Sequence, residues 1–345
     1  MSSLSDRTEA QVKGLVKRLA QTHSVSSALD EESLWGRLHD EIVQAYQARA
    51  KREAVREGRA IIMAGAPGAG KSQGVAMVRQ VLGPQESQRL GVVEDGFVTV
   101  DADDVKQLLL GTPVAGLEVA PELLAQACSH WDGVIAEHAP ERLADGRPLL
   151  RGELATLVHP LSAATADKIR KELVADCFNI KIEGTLQWME PSGMGQGPRL
   201  IDQLRAEEYV QVSIVAVDAP KELCLAGAHQ RWAEPRKVGD VTARYTPAEA
   251  VESMFPPGRA SSRCVDNARI THDLVRGDAG FEEVNLFIAH RGERPAVEHV
   301  DRAGKTRLLP VPGQPPGTRT ASAGLRGSQG VGQDQLRTQP PNRGR

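Results

Sequence analysis

Apolar residues in the first sixty positions recur at helical spacing. Leu4, Val12, Leu15, Val16 and Leu19 fall roughly on one face over residues 4–22. Leu34, Leu38, Ile42, Val43 and Tyr46 share a face in a second helical stretch from about Leu29 to Gly58, where the glycine is a natural stop. At Arg59 the texture changes. A short unbroken apolar run ends at Gly65, as expected of a parallel strand buried on both sides. Helical patterns follow at residues 73–82, 104–110, 121–139, 162–177 and 219–232. Strand-like runs lie between them at 97–100, 178–182, 209–217 and 284–289. Strands alternating with helices predict an α/β fold, a mostly parallel sheet flanked by helices. The pattern fades beyond about Ala303. Residues 311–345 are rich in Gly, Pro, Gln, Ser, Thr and Arg and hold almost no large apolar side chain. Such a segment cannot offset the entropy of ordering. The chain therefore divides into a helical extension (1–58), a core domain (59–300) and a disordered tail (301–345).

Composition narrows the function classes. The net charge is −3, and aromatic residues are only 3%. Neither suits a nucleic-acid partner, which needs a basic surface and stacking platforms. No run of 18 apolar residues occurs and the N-terminus has no apolar leader, so the expectation is a cytoplasmic protein without a membrane partner. Cys128, Cys177, Cys224 and Cys264 are scattered and form no CxxC pair, which argues against a zinc site or a disulfide framework.

The most specific chemical signal is Gly65-Ala66-Pro67-Gly68-Ala69-Gly70-Lys71-Ser72, which fits GxxxxGK[ST]. It stands between a strand and a helix, the setting the pattern requires. Glycines let the backbone turn its N–H groups inward around an anion, and the helix adds its positive end. Lys71 would reach the β- and γ-phosphates, and the Ser72 hydroxyl would ligate Mg²⁺. The alternative is a chance glycine-rich turn.

Transfer of a phosphoryl group also needs a proton acceptor and charge on the γ-phosphate. Asp101, Asp103 and Asp104 stand at the carboxyl end of the second strand, where ligands bind in open α/β sheets. One of these acids is expected to cap the next helix and another to act in catalysis. Glu183 and Thr185, in Ile182-Glu183-Gly184-Thr185, end another strand. They suit a contact to substrate or to a magnesium-bound water, or a simple turn. Arg231, the polar loop 233–240 and Arg244 have the layout of a lid, although spacing alone reads them as solvated surface arginines. His159 has no electrostatic reason to be charged.

These pieces occur together and in order in one family. The loop 65–72, VDADDVK at 100–106, VHPLSA at 158–163, IEGT at 182–185, Gln230-Arg231-Trp232 and TARYTP at 242–247 resemble zeta toxins over residues 59–292. Zeta toxins are the kinase halves of toxin–antitoxin pairs. The resemblance implies a P-loop NTPase fold and ATP- or GTP-dependent phosphorylation of a sugar hydroxyl of UDP-N-acetylglucosamine with Mg²⁺. It makes Asp103 the general base, Lys71 and Ser72 the phosphate and metal residues, and Arg231 and Arg244 a phosphate clamp. Asp167 and Thr185 fall on the acceptor side. An antitoxin protein would be the partner. The chain departs from the family at Asp167, where a glutamate is usual, and at Leu186-Gln187, where some members have a basic residue. Two other readings remain: a P-loop kinase of another nucleotide, dinucleotide or sugar, and a regulatory module that binds ATP without transferring it. The N-terminal helices are either a packed layer or a fused inhibitory segment.

Overall fold

The first strand explains why its sequence is apolar throughout. In β1 (Arg59–Ala64), Ile61 and Met63 point into one core and Ala60, Ile62 and Ala64 into another. The same division holds in β4 (Gln211–Asp218) and β5 (Glu283–His290). There Val212, Ile214, Leu286 and Ile288 face one side, and Val215, Val217, Phe287 and Ala289 the other. A pleated strand sends successive side chains to opposite faces, so a sheet covered on both sides needs apolar residues at every position. With β2 (Val98–Val100), β3 (Ile180–Ile182), β6 (Ala296–Val300) and β7 (Thr306–Pro310), these strands form one sheet of order β2-β3-β1-β4-β5-β6-β7. The first five are parallel, and the last two add antiparallel.

Residues 4–312 of the computed structural model are described, and they belong to one compact unit. The helices are α1 (Leu4–His23), α2 (Leu34–Glu53), α3 (Lys71–Arg89), α4 (Ala102–Leu109), α5 (Pro121–His138), α6 (His159–Ala175), α7 (Gln196–Ala206), α8 (Lys221–Lys237), α9 (Ala248–Glu252) and α10 (Arg263–Val275). A short 3₁₀ turn spans Arg151–Thr156. The helix after the glycine-rich loop was expected to end at Leu82. It bends there instead, at Gly83 (φ 74°) and Pro84, and continues. The apolar pattern predicts no helix at α7 or α10. α10 buries Asn267, Thr271 and His272 among its apolar residues, which hides its periodicity, and α7 is short, with Leu200, Ile201 and Leu204 on one face.

Two boundaries read from the sequence change. The segment from 301 is not all tail, because β7 pairs along β6 from Thr306 opposite Val300 to Pro310 opposite Ala296. Its side chains are mostly exposed, so it is held by backbone pairing and leaves little trace in the apolar pattern. The expected disorder beyond it falls outside the described residues. The polar loop placed at 233–240 is largely helix, since α8 continues through Pro235 to Lys237.

The N-terminal helices are part of the main core. Val12, Val16 and Leu19 of α1 and Leu38, Ile42 and Tyr46 of α2 share one cluster with Val98 and Val100 of β2 and Leu161 and Ile169 of α6. Ser33 caps α2, its hydroxyl accepting from the Gly36 N–H at 3.0 Å. His39 of α2 also bonds Thr165 of α6 at 2.8 Å.

Candidate active site

A cleft of about 1090 Å³ opens at the carboxyl ends of the parallel strands. It is lined by the loop 66–73 apart from Ala69, by Asp101, Asp103 and Asp104, by Glu183 and Thr185, by Asp167, and by Arg231 and Arg244. These residues are spread over nearly 180 positions of sequence, and the sheet topology brings them together.

The loop itself is built around two glycines with left-handed backbone. Gly70 (φ 76°) immediately precedes α3 and offers no side-chain cap, so the first-turn N–H groups of that helix remain for a ligand. Gly68 (φ 78°) lies under α8. A Cβ there would stand 2.0 Å from the Cys224 carbonyl oxygen. The loop is thus seated against the helix that carries Arg231. The Gly65 N–H donates to the Thr185 carbonyl at 3.3 Å, joining the start of the loop to the end of β3. Lys71 makes no hydrogen bond or ion pair with any described residue, which leaves its ammonium for an anion.

Asp101 and Asp103, after β2, sit in different surroundings. Asp101 caps α4, its Oδ1 accepting from the Asp103 N–H at 2.8 Å. Burial, and then the charge of Asp103, push its pKa up to about 6. Asp103 has the opposite surroundings. Arg244 Nη1 is 2.7 Å from its Oδ2, and Lys106 Nζ is 3.0 Å from its Oδ1. Burial opposes its charge, but Arg244, Lys106 and Lys71 outweigh burial and hold its pKa down at about 2. Burial raises Asp104, with Arg49 of α2 opposing.

Arg244 is held in place by its neighbours. Ala243 and Tyr245 on either side are buried, and the Tyr245 ring meets Trp232 edge-on at 5.7 Å. The Val241 carbonyl accepts from the Gly152 N–H at 2.7 Å. Arg231 precedes Trp232 on α8. The Trp232 Nε1–H donates to Glu153 Oε1 at 2.6 Å, and Glu153 also takes Arg236 Nη1 at 2.6 and 2.7 Å. Arg236 in turn binds Asp145. Arg231 itself makes no hydrogen bond or ion pair with a described residue. Desolvation and the like charge of Arg244 disfavour its charge, and Asp103 favours it.

At the other end of the cleft Asp167 is held by Arg170 and by Lys171, the latter at 2.8 Å. Glu183 is 3.1 Å from Lys181 Nζ. His159 lines the cleft beside Lys106. Its pKa is lowered, first by desolvation and then by that lysine, in keeping with the neutral imidazole expected from the sequence. Lys106, Arg170 and Arg291 are cleft residues the sequence reading passed over. The first two stand three positions after Asp103 and Asp167, a legible spacing for a helical ion pair. The only signal for Arg291 is its place just past a strand end.

The residues fit a magnesium–nucleotide complex. Magnesium keeps several waters and takes few protein ligands when phosphates supply the rest. The Ser72 hydroxyl at the start of α3, with Glu183 lining the same cleft, is a donor set of that kind. No cluster of three His, Cys, Asp or Glu side chains among the described residues forms an all-protein metal cage.

No family model and no curated protein matches the chain. Two solved structures resemble it in fold. One is from the PezAT chromosomal toxin–antitoxin system of Streptococcus pneumoniae, 15% identical, covering 77% of this chain and 78% of that one, with a TM-score of 0.42. The other is from an AvrRxo1-ORF1:-ORF2 complex with ATP, 13% identical, covering 87% and 70%, with a TM-score of 0.44. Likeness at this level says nothing about activity. Among the described residues no helix is long and apolar enough to cross a membrane.

Proposed function

We propose that this chain is a P-loop kinase that moves the γ-phosphoryl of ATP or GTP to a hydroxyl of a small molecule. One observation carries the reading. A phosphate loop with an unpaired Lys71 shares a cleft with the strand-end carboxylate of Asp103, and Arg231 and Arg244 stand beside them. A site that only bound nucleotide would need the loop but not a carboxylate and two arginines converging on one side of it.

The chemistry follows from the charges. Lys71 and the α3 N-terminus bind the phosphates, and Arg231 faces the charge that builds on the γ-phosphoryl. Ser72 would hold Mg²⁺, with Glu183 placed to orient a water of its shell. When bound, the ion would supply neutralisation of the phosphate charge. Asp103 takes the proton of the acceptor hydroxyl as its oxygen bonds to phosphorus and the nucleoside diphosphate leaves. In the free protein Arg244 holds Asp103 in an ion pair. A base so tightly paired is weak. Transfer therefore requires Arg244 to turn from Asp103 to the γ-phosphate, so that donor binding releases the base.

The zeta-toxin resemblance points to UDP-N-acetylglucosamine as acceptor and to an antitoxin as partner, with Asp167 and Thr185 on the acceptor side. A second acceptor class, another nucleotide or dinucleotide, is favoured by the departures at Asp167 and Gln187. The test is purified protein with γ-labelled ATP and a panel of nucleotide sugars, nucleosides and dinucleotides. One labelled, acceptor-dependent product is expected, and Lys71→Ala and Asp103→Asn should each lose it by at least about a hundredfold. Unchanged transfer by Asp103→Asn would remove that residue from the mechanism. ATP binding with no product from any acceptor would favour the regulatory module.

A further inference from the structure

The segments after β1, β2 and β3 bring polar residues to the cleft, and the one after β5 brings Arg291. Its backbone N–H donates to the Asp218 carbonyl at 2.7 Å, extending the β4–β5 pairing by one step. Its side chain then reaches the phosphate loop. Nη1 donates to the Ala69 carbonyl at 2.6 Å, and a Cβ on Gly70 would stand 2.0 Å from the same nitrogen. The guanidinium lines the cleft beside Lys71 and Gln73. No carboxylate among the described residues pairs with it. An arginine carries five N–H donors, and the Ala69 carbonyl uses one of them. A cation placed against an anion nest without an acidic partner strengthens that nest.

We propose that Arg291 is a donor-binding residue that grips the α-phosphate end of the nucleotide. The sheet order sets the direction. Asp103 follows β2, on one side of β1, and Arg291 follows β5, on the other. On the kinase reading above, the γ-phosphoryl lies toward Asp103 and Lys71 takes the β- and γ-phosphates. The nucleoside end then runs toward β4 and β5, and the first phosphate on that side meets Arg291. A side chain at Gly70 would displace the guanidinium, so this glycine keeps the contact open besides meeting its backbone angle.

The test is calorimetric binding of ADP and of pyrophosphate to the wild type, Arg291→Gln, Arg291→Lys and Lys71→Ala, with thermal unfolding of each nucleotide-free protein. Arg291→Gln is expected to weaken ADP about tenfold, the scale of one lost charged hydrogen bond. Arg291→Lys should lie between it and the wild type. Pyrophosphate, which has no α-phosphate, should weaken by a clearly smaller factor, and the unfolding temperature should stay put. Unchanged ADP affinity in Arg291→Gln overturns the proposal. So does equal weakening of ADP and pyrophosphate with a lowered unfolding temperature, which makes Arg291 a prop for the loop. ADP binding lost in Lys71→Ala but kept in Arg291→Gln overturns this inference alone. No ADP binding by the wild type overturns the kinase reading with it.

Discussion

Asp101 and Asp103 are two positions apart and respond to pH in opposite senses, because different groups face them. Asp101 meets burial and the charge of Asp103, and its pKa rises to about 6. An unfolded aspartate titrates near ~3.9. The folded state therefore holds this proton more tightly, and stability falls as pH rises from about 4 to about 6. Asp101→Asn keeps an N-cap side chain and removes the charge. It is expected to raise the unfolding temperature above pH 6, with the gain vanishing below about pH 4, in thermal melts of both proteins across that range. Asp103 is depressed, so its contribution is present above the unfolded value and is lost as pH falls toward about 2. Asp103→Asn should therefore lose stability at pH 7 relative to the wild type and converge with it in acid. A variant equally stable at both ends would show that the Arg244 contact contributes nothing in solution.

At the scale of elements, α8 is the piece that sets the site. It carries Arg231, presses its backbone on Gly68 and packs Trp232 against Tyr245. Its anchor is Glu153, which is fully buried and shared between Arg236 and Trp232. Glu153→Ala would leave Arg236, only 3% exposed, with one of its two acids gone. Breaking a buried pair in this way costs about 3–5 kcal/mol, to be measured by denaturant unfolding. A loss below about 1 kcal/mol would mean that Asp145 alone satisfies Arg236. The Gly152 N–H next to Glu153 also bonds the Val241 carbonyl, so the backbone leading to Arg244 is tied to the same segment.

At the scale of the whole molecule, the N-terminal helices pack into the core that covers β2. No residue of α1 or α2 lines the cleft, so neither helix blocks it. Removing residues 1–23 exposes the sites of Val12, Val16 and Leu19, all buried. At roughly 1.5–3 kcal/mol per buried aliphatic side chain, three such losses rival the entire stability of an ordinary domain. The truncated chain is expected to be poorly folded by circular dichroism and no more active than the full chain. A folded, more active truncation would restore the inhibitory reading.

The local rules were readable in the linear chain. The apolar run at 59–64, the glycines of the loop and the acids after β2 each declare their element and its chemistry, because a two-sided strand, an anion nest and a helix cap depend on neighbours a few residues away. That one of these acids caps α4 follows from that spacing. Other features depend on contacts across the fold. β7 exists through backbone bonds to β6, and α10 is a helix whose buried face is partly polar, so neither shows in the apolar pattern. Arg244 reads as a surface arginine until Ala243 and Tyr245 are buried on either side of it. Arg291 meets the loop only because β5 lies two strands from β1. The sequence by itself determined the glycine-rich turn between strand and helix, the capping acid and the alternation of strands and helices. The tertiary structure decided which distant charges face them, because charge pairing depends on distance in space, and here the sheet order sets that distance.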